Sequence, residues 1–194
     1  MRAPPRPLPR LADERIVLRP RQLDDVAAQL AGEDEEIVRW LLEGRASTPH
    51  GVETHIAKSL RRWQSGAARR DLGIRLAATD RLVGNIEANL ADDDFGAGEV
   101  NISYAIFPTY RGQGLASRAV GLLCAYLGRE TDAVRAMLKI DERNLASLRV
   151  AAAAGFEPAG RVLERGDGER LVVFRRALHP PRPHATPPAA GRSS

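Results

Sequence analysis

The chain has 194 residues, 29 of them basic and 25 acidic, a net charge of +4, and 43% hydrophobic and 28% charged residues. That is chain enough for one sizeable core in a single soluble domain. The lone Cys124 excludes an internal disulfide framework, and the longest apolar runs fall well short of the ~20 residues a membrane span needs. The positive charge belongs to the ends: Arg2, Arg6, Arg10, Arg182 and Arg192 lie in two acid-free tails, and the body between them is near neutral. A basic nucleic-acid-binding face is therefore not expected.

Residues 1–12 and 179–194 are rich in Pro, Arg, Ala and Ser without periodicity and read as disordered tails around one domain, 13–178. The opening MRAPPRPLPR lacks the apolar centre of a signal peptide, so a cytoplasmic location is expected. Arg15–Arg19 reads as a strand stopped by Pro20. Asp24–Ala31 reads as a helix ended by Gly32, and Glu33–Leu42 as a second. Ser47-Thr48-Pro49 opens a third over Gly51–Gln64, with Val52, Ile56, Leu60 and Trp63 at helical spacing. Trp40 and Trp63 fall in apolar register and are expected in the core. His50 and His55 are five apart, which does not put them on one helix face, and no metal site is expected from them.

Leu72–Ala78 and Leu82–Leu90 around Thr79-Asp80 read as a hairpin. The acidic Asp92-Asp93-Asp94 loop leads to a strand over Val100–Phe107, a Pro108–Tyr110 turn, the corner Arg111-Gly112-Gln113-Gly114 and a long apolar helix to Glu130. Cys124, inside that helix, reads as a small buried hydrophobe. A strand over Ala136–Ile140, a helix over Asn144–Ala154 stopped by Gly155, and strands over Glu157–Leu163 and Leu171–Leu178 around Gly166-Asp167-Gly168 complete the chain.

The Gly-rich corner presents free N–H groups at a helix N-terminus, an anion-binding arrangement. A P-loop needs Lys-Ser/Thr where Leu115-Ala116 stand, and a dinucleotide fingerprint needs a third glycine where Ser117 stands. Arg111-Gly112-Gln113-Gly114-Leu115-Ala116 fits R-x-x-G-x-[GA] instead. It resembles the pyrophosphate loop of the GNAT superfamily of acetyl-CoA-dependent N-acetyltransferases. The stretch Asp141–Phe156 supports the resemblance, with Asn144, Ser147, Val150, Gly155 and Phe156 in the family's N-x-x-[AS]-x-x-[LV]-x-x-x-x-G-F register. Leu18-Arg19-Pro20 and Asp24-Asp25 look like the RimJ/RimL-like branch, which acetylates ribosomal-protein N-termini.

The resemblance implies an α+β GNAT fold: a mixed, mostly antiparallel sheet of about seven strands, flanked by helices and splayed at its centre to admit acyl-CoA. It implies acetyl-CoA as cosubstrate and a primary amine, from a protein N-terminus or a small molecule, as acceptor. Pantetheine contacts would fall on Tyr104 and on Ile106, Phe107 and Pro108, with Asn144 contributing. The diphosphate would sit by Arg111 on the N–H groups of Gly112, Gln113, Gly114, Leu115, Ala116 and Ser117. Two departures break the family's Glu/Tyr mechanism: Ala151 stands at the tyrosine position and Lys139 at the glutamate position. Ser147 matches the branch's serine that faces the thiolate. Asn101 replaces a glutamate often found in the branch, which leaves Glu87 and Glu99 as the candidate bases. The acidic loop could attract a polyamine, an aminoglycoside or a Lys-rich peptide. A domain that binds acyl-CoA without turnover, and a homodimer, remain open alternatives.

Overall fold

The computed structural model describes residues 8–164 and 170–178. The expected Gly166-Asp167-Gly168 turn and the C-terminal tail lie outside these residues. An eight-stranded sheet runs in the order β1-β2-β3-β4-β5-β6-β8-β7. Its strands are β1 (Leu11–Ala12), β2 (Ile16–Arg19), β3 (Arg69–Leu76), β4 (Leu82–Asn89), β5 (Glu99–Ile106), β6 (Arg135–Asp141), β7 (Glu157–Glu164) and β8 (Arg170–Ala177). Every neighbouring pair is antiparallel except β5 and β6. The strand beyond the expected seven is β1. It draws Leu11 and Ala12, read from composition as part of a disordered tail, into pairing with Leu18 and Val17. Two residues paired to an existing edge gain ladder bonds that no periodicity could announce.

Five α-helices flank the sheet: α1 (Val26–Gly32), α2 (Glu35–Leu41), α3 (Pro49–Ser65), α4 (Leu115–Glu130) and α5 (Leu145–Ala153). Their ends follow from local chemistry. Asp34 caps α2 by accepting from Ile37 N at 3.0 Å, and Thr48 caps α3 by accepting from Gly51 N at 3.1 Å. Gly66 ends α3 in the left-handed region at φ 70°, which glycine adopts without steric cost. Among the described residues no helix is long and apolar enough to cross a membrane.

The period-two alternation of the central strands assigns their two faces different work. Leu72, Ile74, Ile86, Ala88, Val100 and Ile102 are buried with Leu115, Ala119, Leu123 and Leu127 of α4, and form the main core. Asp71, Asn85, Glu87 and Ser103 have the opposite parity and face the side that α1 and α3 cover. Cys124 is buried, and burial pushes its thiol up to about 11, as suits an inert packing residue. Trp63 is buried as expected, edge-on to Tyr126 at 6.2 Å. Trp40 is not in the core. It is half-buried, with Arg39 4.5 Å and Arg143 6.0 Å from its ring, a cation–π arrangement that an aromatic on a helix surface can adopt as readily as packing.

Candidate active site

The sheet opens at its parallel pair. β5 and β6 are paired only from Glu99↔Arg135 to Asn101↔Met137, while β5 stays paired to β4 as far as Ile106. Beyond Asn101 the two strands diverge. The backbone of residues 102–106 has no ladder partner on the β6 side, so it can pair with an extended ligand as an added strand would. At the end of this fork, a turn at Pro108–Tyr110 delivers the chain to the N-terminus of α4.

The corner carries the anion-binding arrangement expected of it. The backbone N–H groups of residues 112–117 donate to no acceptor among the described residues, the first α4 bond being Arg118 N to Gly114 O. No side chain caps the helix, because its N-cap is Gly114 at φ 73°. Gly112 shares that φ, and no atom lies within 4 Å of the position a Cβ would take on either glycine. Unpartnered donors, the positive end of the helix dipole and unobstructed approach fit the diphosphate of a nucleotide cofactor. Leu115 and Ala116 turn their side chains into the core and can offer only N–H groups. The Ser117 hydroxyl donates back to Gly114 O at 3.0 Å, and the exposed Gln113 receives Arg15 on its carbonyl at 3.3 Å.

Arg111 has a role that the motif does not disclose. Its guanidinium grips Asp34 through both terminal nitrogens at 2.7 and 2.8 Å, reaches Glu36 at 2.8 Å, and donates Nε to Ile106 O at 3.0 Å. It fastens α2 to the corner, and hydrogen bonding and charge from Asp34 raise its already high pKa. Phe107, buried, packs with Ile37, Leu82 and Ala105, and Pro108 is exposed beside it.

Across the fork, the Asn144 side chain caps α5 by accepting from Ser147 N at 3.0 Å. The Ser147 hydroxyl has no hydrogen-bond partner among the described residues, while its carbonyl receives the Tyr104 hydroxyl at 3.5 Å. Burial pushes the Tyr104 phenol up to about 12, so it is a donor here and stays protonated. Tyr104 thus joins β5 to α5 over the divergent strands.

The opposite face of β4 carries the titratable groups. Glu87 sits across from Asp71 on β3 and from Ser103 on β5, two residues past the last β5–β6 pair. Desolvation raises the Glu87 carboxyl above its ordinary value and the charge of Asp71 adds to this. Arg69, 3.7 Å away, His55 and Arg62 oppose the rise without cancelling it. Asp71 lies deeper. Arg21 meets it with two nitrogens at 3.2 and 2.7 Å, His55 Nε2 lies 2.6 Å from Oδ2, and the Trp63 indole donates to its backbone carbonyl at 2.8 Å. Burial pushes the Asp71 carboxyl up, but the Arg21 and His55 charges and hydrogen bonds outweigh it, and the net shift is downward. Gln29 of α1 ties the group to Asn85, accepting from Arg21 at 2.8 Å and from Asn85 at 3.3 Å.

Two further residues singled out in the sequence, the candidate base Glu99 and Lys139 at the family's glutamate position, are held in ion pairs. Glu99 pairs with Arg135 at 3.1 Å and accepts from Gly96 N at 3.2 Å, at the closed end of the fork and the far end of β5 from the corner. Lys139 fastens the acidic loop: its ammonium reaches Asp92 at 2.9 and 3.0 Å and Asp94 at 2.6 Å, and lies 5.4 Å from the Phe95 ring. A cleft of about 560 Å³ opens there, lined by Arg62, Arg69, Asn89, Asp92 and Lys139 among others.

His55, Asp71 and Arg21 were not singled out for chemistry by the sequence. They are 16 and 50 positions apart, and only the β3–β4 register and the docking of α3 bring them together. No local pattern marks Asp71, which follows Arg69 and Arg70 just ahead of the expected strand Leu72–Ala78; only its burial makes a carboxylate there require partners.

A forked sheet ending in a run of unpartnered N–H groups has the shape and donors to fit an extended, diphosphate-bearing cofactor between two strands. The acetyltransferase (GNAT) domain family matches residues 15–157, and the chain belongs to it. It is an N-acetyltransferase that uses acetyl-CoA as its acyl donor. Among solved structures, a GNAT-family acetyltransferase from Bacillus anthracis superposes with TM-score 0.73 at 19% identity, over 87% of this chain and 98% of that one. RimL, a ribosomal α-N-protein acetyltransferase solved with coenzyme A, gives 0.72 at 18% over 87% and 98%. An aminoglycoside acetyltransferase, also solved with coenzyme A, gives 0.67 at 19% over 84% and 94%. Identities this low establish the shared fold. No curated protein sequence matches the chain.

Proposed function

We propose that the acceptor is a primary α-amine, of the kind a peptide N-terminus presents, and that Glu87 receives its proton. The observation that carries this is the position of Glu87: a carboxylate held above its ordinary pKa, one strand away from where the fork opens. Cross-strand neighbours stand about 5 Å apart, so an amine placed over Ser103 comes within reach of Glu87. A carboxylate of raised pKa is a better base near neutrality, and an α-amine, with pKa about 7.7–8.0, surrenders its proton far more readily than a lysine side chain near 10.4. The acidic loop has Asp92 and Asp94 tied to the single Lys139 ammonium, which occupies their oxygens and offsets part of the charge a polycation would need. This favours the α-amine over an aminoglycoside or polyamine, and the cleft between Arg62, Arg69 and the Asp92–Lys139 pair offers the acceptor its approach.

Acetyl-CoA brings the acetyl group as a thioester; the chain binds and orients it. In this reading the N–H groups of Gly112, Gln113, Gly114, Leu115, Ala116 and Ser117 hold the diphosphate. The backbone of Tyr104 and of Ile106, Phe107 and Pro108 pairs with pantetheine. Asn144 lies along the same path with its side-chain oxygen committed to the α5 cap. The unpartnered Ser147 hydroxyl hydrogen-bonds the departing sulfur and relays to it the second proton that the acceptor nitrogen sheds as the amide forms, so the serine ends protonated as it began. Glu99, committed to Arg135, is left to hold the strands together. Glu87→Gln keeps the shape and removes the base: kcat with a free-N-terminus peptide should fall about 10²-fold or more, with acetyl-CoA affinity unchanged. Full activity in that variant would remove Glu87 from the mechanism.

A further inference from the structure

One group beside Glu87 has no part in the chemistry above: the His55 imidazole. It projects from α3 with 42% of its side chain exposed while Nε2 lies 2.6 Å from Asp71 Oδ2. Asp71 is held ionised by Arg21 and His55, so it can only accept, and the proton between the two belongs to His55 Nε2. That fixes the tautomer of the neutral ring. Its other nitrogen, Nδ1, then carries a lone pair and has no partner among the described residues. Asp71 is itself held by Arg21 and, through its backbone carbonyl, by Trp63, so the ring is aimed from a rigid base.

One nitrogen of His55 and one carboxylate oxygen from each of Asp71 and Glu87 lie within 4.8 Å of one another, a gap a single water spans. A cation is a poor occupant, since both Asp71 oxygens are already engaged by Arg21 and His55. The charged groups facing Glu87 are Arg69 on its own sheet, Asp71 opposite, and His55 and Arg62 from α3.

Building on the reading of Glu87 as base, we propose that Asp71, His55 and Glu87 form one proton path from the acceptor amine to solvent. The acceptor ammonium loses one proton to the Glu87 carboxylate, which becomes a carboxylic acid. That acid returns to carboxylate by passing the proton through an intervening water to the His55 ring, which takes it at Nδ1, the nitrogen Asp71 does not engage. The resulting imidazolium keeps Nε2–H on Asp71 and releases the Nδ1 proton to bulk water through its exposed edge. Charge and protons balance, and no further reactant is needed. Asp71 is a positioning residue throughout and stays ionised, and the ring of His55, twice as exposed as the Glu87 side chain, is the more open exit.

The test uses the full-length chain, thiol release from acetyl-CoA, and a free-N-terminus tetrapeptide and spermidine as acceptors. His55→Ala places a strong helix former at a half-exposed helical position, so the fold should hold. The expected result is a fall in kcat of about tenfold to a hundredfold with the acetyl-CoA KM unchanged, and recovery on adding imidazole. Glu87→Gln should show no such recovery. Independently of turnover, the Glu87 carboxyl followed by ¹³C NMR should titrate at higher pH in His55→Ala than in wild type, because the His55 charge draws it down. Impaired Glu87→Gln with unimpaired or imidazole-insensitive His55→Ala overturns the relay alone. Unimpaired Glu87→Gln, or no thiol release by wild type, overturns the underlying reading instead. A Glu87 titration indifferent to His55 overturns the coupling by itself.

Discussion

The two sides of the β5–β6 fork are made of different material. On the donor side, chemistry is done by backbone: N–H groups of residues 112–117 left unpaired by two glycines, and the free edge of β5. On the acceptor side it is done by side chains drawn from α1, α3, β3 and β4 and from Arg21 beyond β2, each fixed by the next. A backbone site recognises what every cofactor molecule shares and depends on few side chains. A side-chain site depends on all its members, and it can be altered one residue at a time to suit one acceptor. The contrast predicts that breaking the buried Arg21–Asp71 pair at the heart of the acceptor side damages fold and function together. It also predicts that the more exposed His55 and Glu87 can be changed with the fold kept, and that the donor site can be blocked with the fold intact.

The sharpest way to break the contrast is Asp71→Asn. It leaves Arg21 buried without its counter-ion, and loss of one partner of a buried pair costs about 3–5 kcal/mol. Urea unfolding should show that loss. A change below about 1 kcal/mol would mean that the network decorates the acceptor face without holding it. The same pair predicts acid sensitivity. The folded-state pKa of Asp71 lies below its ordinary 3.8, so its stabilisation is complete above that value and is lost as pH falls through the lower, folded one.

A smaller effect is expected where the two sides touch. A Cβ on Gly32, at the end of α1, would lie 2.3 Å from Phe107 Cγ, so Gly32→Ala forces helix and strand apart. A cost of about 1–3 kcal/mol in chemical denaturation is expected, despite the gain in helix propensity. An unchanged midpoint would show that α1 is free to shift. Smallest is the stability effect of Glu87→Gln. The folded state of wild type holds the Glu87 proton more tightly than the unfolded chain, so folding is favoured as pH falls through the raised value and ionisation costs stability above it. The variant should therefore gain Tm slightly at pH 8 and lose that advantage near pH 4. A gain that does not vary with pH would contradict the cause given for the shift.

What could be read from the sequence follows the same division. The corner was legible because its conformation demands particular residues at fixed spacing: glycine where φ is positive, small residues where α4 begins. The order of strands and helices was legible because periodicity and caps are local, as at Thr48-Pro49 and Gly155. The acceptor network was not, because Arg21, His55, Asp71 and Glu87 acquire meaning only from strand register and helix docking. Trp40 shows the limit of periodicity: an apolar register at a helix surface describes an aromatic over two guanidinium groups as well as it describes a core. Arg111 shows a limit of motifs, since a residue in the expected place turned out to be fastened to Asp34. The short β1 escaped because composition outweighs two residues of pairing.

The most direct test of the account is a calorimetric titration of acetyl-CoA into wild type and Ser117→Glu. A glutamate in the first turn of α4 is favoured by the helix dipole, so the variant should fold at least as well as wild type, while its carboxylate competes for the N–H groups that the diphosphate needs. The account predicts binding by wild type and a loss of affinity of about tenfold to a hundredfold, or roughly 1.4–2.8 kcal/mol, in the variant, with Tm undiminished. Equal affinity in the two proteins would contradict it and place the cofactor's diphosphate away from the N-terminus of α4.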